Sequence, residues 1–143
     1  GPSITLSAAF SLAKHTYEEW VVDPARGVDY SENEMETAPR RIGRAEVSFS
    51  PSFLPRSSAA LEWVHLGPYY MDAANTHRYS GHDLLNLRVS APVPGGLVAF
   101  ARVTNLLDTR YAENSSYTIQ RGEEFAPGAA RSVFVGVAWD FRP

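Results

Sequence analysis

Six polar residues stand at alternate positions within otherwise apolar runs: Arg44, Glu46, Glu62, Asn86, Arg88 and Arg102. Opposite charges at that spacing suit cross-strand ion pairs and hydrogen bonds better than a reaction. The residue types that catalysis draws on are sparse. Cysteine is absent, so there is no thiol nucleophile, no Cys-ligated metal and no disulfide framework. No Gly-x-Ser-x-Gly elbow occurs, so a hydrolytic triad has no strained nucleophile turn to build on. The histidines, His15, His65, His77 and His82, show no metal-ligand spacing on a single element. These observations assign no catalytic residue, no metal site and no cofactor, and the chain is expected not to be an enzyme.

Two further groups of polar residues invite a ligand. Residues 18–37 collect Glu18, Glu19, Asp23, Asp29, Glu32, Glu34 and Glu36 against Arg26 alone. Such a stretch can draw a cationic or metal-bearing ligand by its field, or it can be a solvated loop. No EF-hand spacing supports calcium. Asn105, Asp108, Arg110 and Tyr111 lie together at the end of an apolar run. They can touch a ligand or close a loop; Asn and Asp bond nearby backbone readily, which favours the second.

The composition narrows the class. The chain has 143 residues, 44% apolar and 20% charged, with net charge −3. That is enough for one domain with a core. Without a basic surplus, no nucleic-acid partner is expected. The mean hydropathy of −0.24 reads as soluble, yet a transmembrane barrel is only half apolar and gives a similar average. No apolar run reaches the ~18 residues of a transmembrane helix. The start at Gly1 without Met leads us to expect that something upstream has been removed.

The elements that carry these residues read as strands, because apolar residues recur with period two. Ile4, Leu6, Ala8, Phe10 and Leu12 form one such row, and Ala45, Val47 and Phe49 a second. Ala59, Leu61 and Trp63 follow, then Leu85, Leu87 and Val89, then Leu97, Ala99, Ala101 and Val103. The closing strand sets Val133, Val135, Val137, Trp139 and Phe141 on one face. A membrane-facing strand and a strand of a soluble sandwich share this alternation.

The connections carry more. They run long (about residues 18–41), short (51–58), medium (71–81), short (91–96) and long (108–130). The longer connections therefore all fall at one end, as in an up-and-down barrel with short turns on one rim and long loops on the other. Strands of this length suit a tilted crossing of about 30 Å of hydrocarbon. An unpaired backbone group in hydrocarbon costs several kcal/mol, and single-chain barrels start at about eight strands. Six strands must then belong to a larger sheet, or two strands are hidden in the long loops. Trp20-Val21-Val22 and Ser116-Tyr117-Thr118-Ile119 are short and are expected to extend neighbouring strands rather than add crossings. Trp63, Tyr69, Tyr70, Trp139 and Phe141 fall near strand ends, where they would form aromatic girdles or be ordinary core residues.

Several motifs resemble a known family. Tyr79-Ser80-Gly81-His82-Asp83-Leu84-Leu85-Asn86-Leu87-Arg88-Val89 looks like the third-from-last strand of TonB-dependent outer-membrane receptors. Phe100-Ala101-Arg102-Val103-Thr104-Asn105-Leu106-Leu107-Asp108-Thr109-Arg110-Tyr111 resembles the signature of their penultimate strand and the loop it enters. Arg131-Ser132-Val133-Phe134-Val135-Gly136-Val137 resembles the start of their final strand, which also serves as an assembly signal. Ala38-Pro39-Arg40-Arg41, and Glu62-Trp63-Val64 running to Tyr69-Tyr70, fit earlier elements. The likeness covers nearly the whole chain in order, and the run from Asn105 to Tyr111 is its most specific part.

The resemblance implies an all-β, antiparallel, up-and-down transmembrane barrel segment in the bacterial outer membrane. The whole receptor would have roughly 22 strands around a plug and would import ferric siderophores or similar chelates with TonB-derived energy. Its partners would be outer-membrane lipid, the rest of the barrel and plug, the TonB system and a small chelate ligand. Residues 1–143 would be the C-terminal portion, without plug or TonB-contacting box. Val133, Val135, Val137, Trp139 and Phe141 would then form the lipid face and assembly signal. Arg44, Glu46, Glu62, Asn86, Arg88 and Arg102 would face the lumen. The chain runs on past Phe141 to Arg142 and Pro143, where the family usually stops. The alternative is a small self-contained β-barrel or a soluble β-sandwich acting as a binding module.

Overall fold

The computed structural model describes residues 1–139, so Phe141 lies outside the described residues. Strands form wherever apolar and polar residues alternate, and no helix occurs among the described residues. Six long strands make one sheet: β1 (Ser3–Leu12), β4 (Arg41–Ser50), β5 (Ser58–Leu66), β8 (His82–Val93), β9 (Leu97–Thr104) and β12 (Ser132–Trp139). Each lies antiparallel to the next, in the order β1-β4-β5-β8-β9-β12, which is a plain meander. The sheet is open, with β1 and β12 as its two edges.

The register explains why the sheet has two unlike faces. Residues directly opposite each other in an antiparallel pair point the same way. Leu6, Val47, Leu61, Leu87, Val103 and Val133 stand in one row across all six strands. Ile4, Phe49, Ala59, Val89, Ala101 and Val135 make a second such row. The row between them, Thr5, Ser48, Ala60, Arg88, Arg102 and Phe134, points to the other face. A slip of one residue at β4, β5, β8 or β9 would put a charge among the aliphatic rows, so the pattern fixes the pairing of the four inner strands.

Three small hairpins decorate the end of the sheet that carries the long connections. They are β2 (Val21–Asp23) with β3 (Val28–Asp29), β6 (Tyr69–Tyr70) with β7 (Arg78–Tyr79), and β10 (Ala112–Thr118) with β11 (Gly122–Pro127). The short apolar runs at Val21 and at Tyr117 are thus separate hairpins, not the expected extensions of neighbouring strands. Local turn chemistry closes each one. The Asp23 carboxylate accepts the backbone N–H groups of Ala25 at 3.1 Å and Arg26 at 3.2 Å, and Gly27 takes φ +68°. In the other, the Thr118 hydroxyl accepts the Arg121 N–H, and Gly122 takes φ +73°.

At the opposite end the connections are residues 51–57 and 94–96. The second is shorter than the sequence suggests, because Ala91, Pro92 and Val93 stay in β8 opposite Ala99, Val98 and Leu97. The reversal is left to Pro94, Gly95 and Gly96, both glycines at positive φ.

The buried core is small and sits among the loops. Tyr69, Met71, Tyr79 and Ala112 form it, with Leu66 and Tyr117 packed against them. The sheet itself has no second layer over its apolar face among the described residues.

Candidate functional site

The apolar face of the sheet is exposed along all six strands. Val133, Val135, Val137 and Trp139 all lie on it, and Val135 is 78% exposed. On the far strand Ile4, Leu6, Phe10 and Leu12 are equally uncovered. A large apolar side chain left in water forgoes about 1.5–3 kcal/mol relative to burial. Rows of them on every strand therefore demand an apolar neighbour.

Toward the loop end, this face closes with a polar cluster. Asp83 accepts the Trp63 indole N–H at 2.9 Å and lies 2.8 Å from His65 Nδ1. His65 is stacked between Phe10 and Trp63. Trp139 lies on the same face at the other end, opposite Leu97. Trp63 and Trp139 thus mark both ends of the apolar band. Tyr69 does not join them and takes the other alternative, ordinary burial: it is buried in the loop core and hydrogen-bonded there.

The other face gathers the six polar residues singled out from the sequence. Arg44 pairs with Glu62 and lies 3.6 Å from Glu46. Arg88 reaches Glu46 at 2.5 Å, and the Asn86 amide donates to Glu62 at 2.9 Å. Asn86 Oδ1 in turn accepts the backbone N–H of Asn105 at 3.0 Å. Arg102 is exposed and stands directly opposite Arg88, without an ion pair or hydrogen bond among the described residues. Like charges opposed across a pair repel, so this position is held in water or by an anionic neighbour. Beside it opens a groove of about 690 Å³, lined by Glu46, Arg88, Arg102, Phe100 and Phe134 among others. The arrangement offers charge and hydrogen bonds along a strand face but no nucleophile with a base.

The loops above the sheet are ordered by side chains. The Tyr69 hydroxyl is 2.9 Å from Ser115 Oγ and accepts the Ser115 backbone N–H at 3.1 Å. Ser115 is 1% exposed, so this is a dry anchor. The Tyr79 hydroxyl accepts the Ala112 N–H at 3.0 Å and meets His82 Nδ1 at 2.9 Å. His77 stacks on Tyr117. His77, in the connection, and His82, at the start of β8, are therefore both packed against tyrosines. Nothing in the sequence pattern pairs Tyr69 with Ser115, because no periodicity links one loop to another.

Asn105 and Asp108 hold the last long loop. Both take positive φ, +50° and +55°. Asn105 Oδ1 accepts the Thr109 N–H at 2.8 Å, and its amide donates to the carbonyls of Thr109 and Ala129. Asp108 accepts the Arg131 N–H at 3.0 Å, tying the loop's end to the start of β12. In the acidic connection, Glu34 receives a two-point hydrogen bond from Arg40, which holds its carboxyl below the ordinary range. The Tyr17 hydroxyl is pushed up to about 12, first by burial and then by its bond to Glu36.

A one-face-apolar, open antiparallel meander with loops sorted by end is the class of a barrel wall. Its particular likeness is to segments of two solved receptors. The chain resembles the siderophore receptor PiuA from Acinetobacter baumannii, with TM-score 0.71 and 18% identity, over 94% of this chain and 19% of that one. It also resembles the ferric yersiniabactin uptake receptor FyuA from Yersinia pestis, with TM-score 0.62 and 21% identity, over 76% of this chain and 17% of that one. The chain spans less than a fifth of either receptor. No protein-family model and no curated protein matches the sequence. The fold is that of a segment of these receptors' structures.

Proposed function

We propose that the chain is the C-terminal part of the barrel wall of an outer-membrane receptor that takes up ferric siderophores or similar chelates with energy delivered through TonB. The apolar face, with Val133, Val135, Val137 and Trp139, meets acyl chains. The polar face, with Arg44, Glu46, Glu62, Asn86, Arg88 and Arg102, meets the water-filled lumen and the plug. The single observation that carries the reading is the unbroken pair of apolar rows across six strands, with no layer over them among the described residues. A sandwich would cover that face, and a self-contained barrel would join β1 to β12. The likeness to two iron-chelate receptors supports the cargo class.

The test is fractionation and uptake with the whole gene product in its own bacterium. It is expected in the outer-membrane fraction, and deleting its gene should abolish growth on at least one ferric siderophore under iron limitation. Recovery as a soluble protein would refute the membrane placement. Uptake that persists in a strain lacking TonB would refute the energy coupling.

A further inference from the structure

Two of the long connections are fastened to each other at the Tyr79 hydroxyl. It accepts the backbone N–H of Ala112 at 3.0 Å and lies 2.9 Å from His82 Nδ1. A phenol has one proton to give. Ala112 supplies a donor, so the Tyr79 proton goes to His82 Nδ1. That nitrogen accepts only in the neutral imidazole, with its proton on Nε2. The one bond therefore fixes both the tautomer and the charge of His82. Tyr79 is 9% exposed and Ala112 4%, so solvent does not replace a lost partner. A proton on Nδ1 turns the acceptor into a second donor aimed at the same oxygen. The Tyr79 O–H is then stranded in a buried place, which is the expensive way to lose a hydrogen bond.

The surroundings confine the effect to this bond. The charged groups acting on His82 are Asp83, next to it on β8, and His65 on β5. Asp83 points to the opposite face and is committed there to Trp63 and His65. The rings of Tyr79 and Tyr111 touch the imidazole and stay neutral well above pH 7. Arg110 lines a cavity of about 310 Å³ beside the bond, with Tyr79, Tyr111, Ala112 and Phe125. His77 differs from His82. It stacks on Tyr117 and lies 3.8 Å from Asp72, so a proton there strengthens its contacts. A second anchor, from the Tyr69 hydroxyl to Ser115, involves no histidine. Between the two anchors the β10–β11 register shifts, at Ala112 and Asn114. The root of the hairpin thus has slack in its ladder and space beside it.

We propose that His82 is a proton-operated latch on the β10–β11 hairpin. Neutral, it closes the root of the hairpin at Ala112; protonated, it frees that root while the Tyr69–Ser115 anchor holds. The latch itself does not depend on the barrel reading. That it answers acid outside the cell rests on that reading, which turns this end of the sheet outward.

The experiment follows hydrogen exchange, amide by amide, in the whole gene product in dodecyl maltoside. Protection factors are compared between pH 7 and pH 5, the window in which histidines ordinarily titrate. Protection of the Ala112 amide should fall about tenfold, while that of Ser115 should hold. His82→Gln cannot take the proton and should keep Ala112 at one level across the window. His77→Gln should keep the fall seen in the unaltered protein. Tyr79→Phe, which lacks the hydroxyl, should leave Ala112 poorly protected at both pH values. Ala112 protection that is flat with pH in the unaltered protein would overturn the latch. So would a fall that survives His82→Gln or vanishes in His77→Gln. Equal losses at Ala112 and Ser115 would overturn the second anchor. If His82→Gln does not assemble, the unaltered protein and His77→Gln still decide. Failure of the barrel reading shows separately, as a gene product missing from the outer-membrane fraction.

Discussion

Asn105 shows how much one side chain can hold at the end of a strand. It is 3% exposed, sits at φ +50° and satisfies three backbone groups from two segments of one loop. Asn tolerates the left-handed region because its short amide bonds locally. Each net hydrogen bond is worth about 0.5–1.5 kcal/mol, and an orphaned buried group costs more. Asn105→Ala should therefore lower stability by roughly 2–4 kcal/mol, read from denaturant unfolding of the vesicle-inserted protein. Asn105→Gly should recover only the backbone part, since it restores φ and none of the bonds. If Gly restored full stability, the hydrogen bonds would be irrelevant and the conformation alone would matter. The capping role was readable beforehand, because Asn and Asp at a strand end have a known habit. The partner Ala129 was not, since nothing in the residue order brings residue 129 to residue 105.

At the scale of elements, the strands were legible and the loops were not, for one physical reason. A strand in a two-faced sheet writes its environment into every second residue, so β4, β5, β9 and β12 could be placed to within a few residues. A loop core writes no period. Tyr69 and Ser115 meet in the fold across a long stretch of sequence, and the β10–β11 hairpin turns on Gly122, which also suits many other loops. The external connections are nonetheless fixed to one another. Glu34 N–H donates to Asn75 Oδ1, and the Asn75 amide donates back to the Glu34 carbonyl, both at 2.8 Å. The Glu34 carboxyl, held below its ordinary 4.5 chiefly by the hydrogen bond from Arg40, adds to this clasp. A depressed carboxylate contributes stability above its unfolded value and loses it as pH falls through the folded one. The protection factors of the Glu34 and Thr37 amides should therefore be high at neutral pH and fall only as the pH drops below the ordinary carboxylate range. In Arg40→Gln the onset should move up toward the ordinary carboxylate range. An onset that does not move would mean that the ion pair is incidental to the clasp.

The whole molecule is an incomplete object in chemical terms. β1 presents ten residues along one edge of the sheet, and β12 forms the other. In hydrocarbon each unpaired backbone group costs several kcal/mol, so both edges call for strand neighbours if this sheet lies in a membrane. In water the same edges would be tolerable, but the apolar rows would not. The two faces therefore separate the environments more sharply than any single element does. Val135 and Phe134 are adjacent, both exposed, and point to opposite faces. In a soluble sheet an arginine at either position costs about the same. In a barrel wall, Val135→Arg places the charge in lipid near mid-depth and should lose about 2–4 kcal/mol of insertion stability. Phe134→Arg places it in the lumen opposite Arg102, where repulsion across the pair should cost no more than about 1 kcal/mol. Refolding each variant of the whole gene product into vesicles and comparing urea midpoints measures the difference. Only a deficit larger at Val135 than at Phe134 is compatible with acyl chains on the aliphatic rows; equal deficits would mean that both faces meet the same solvent.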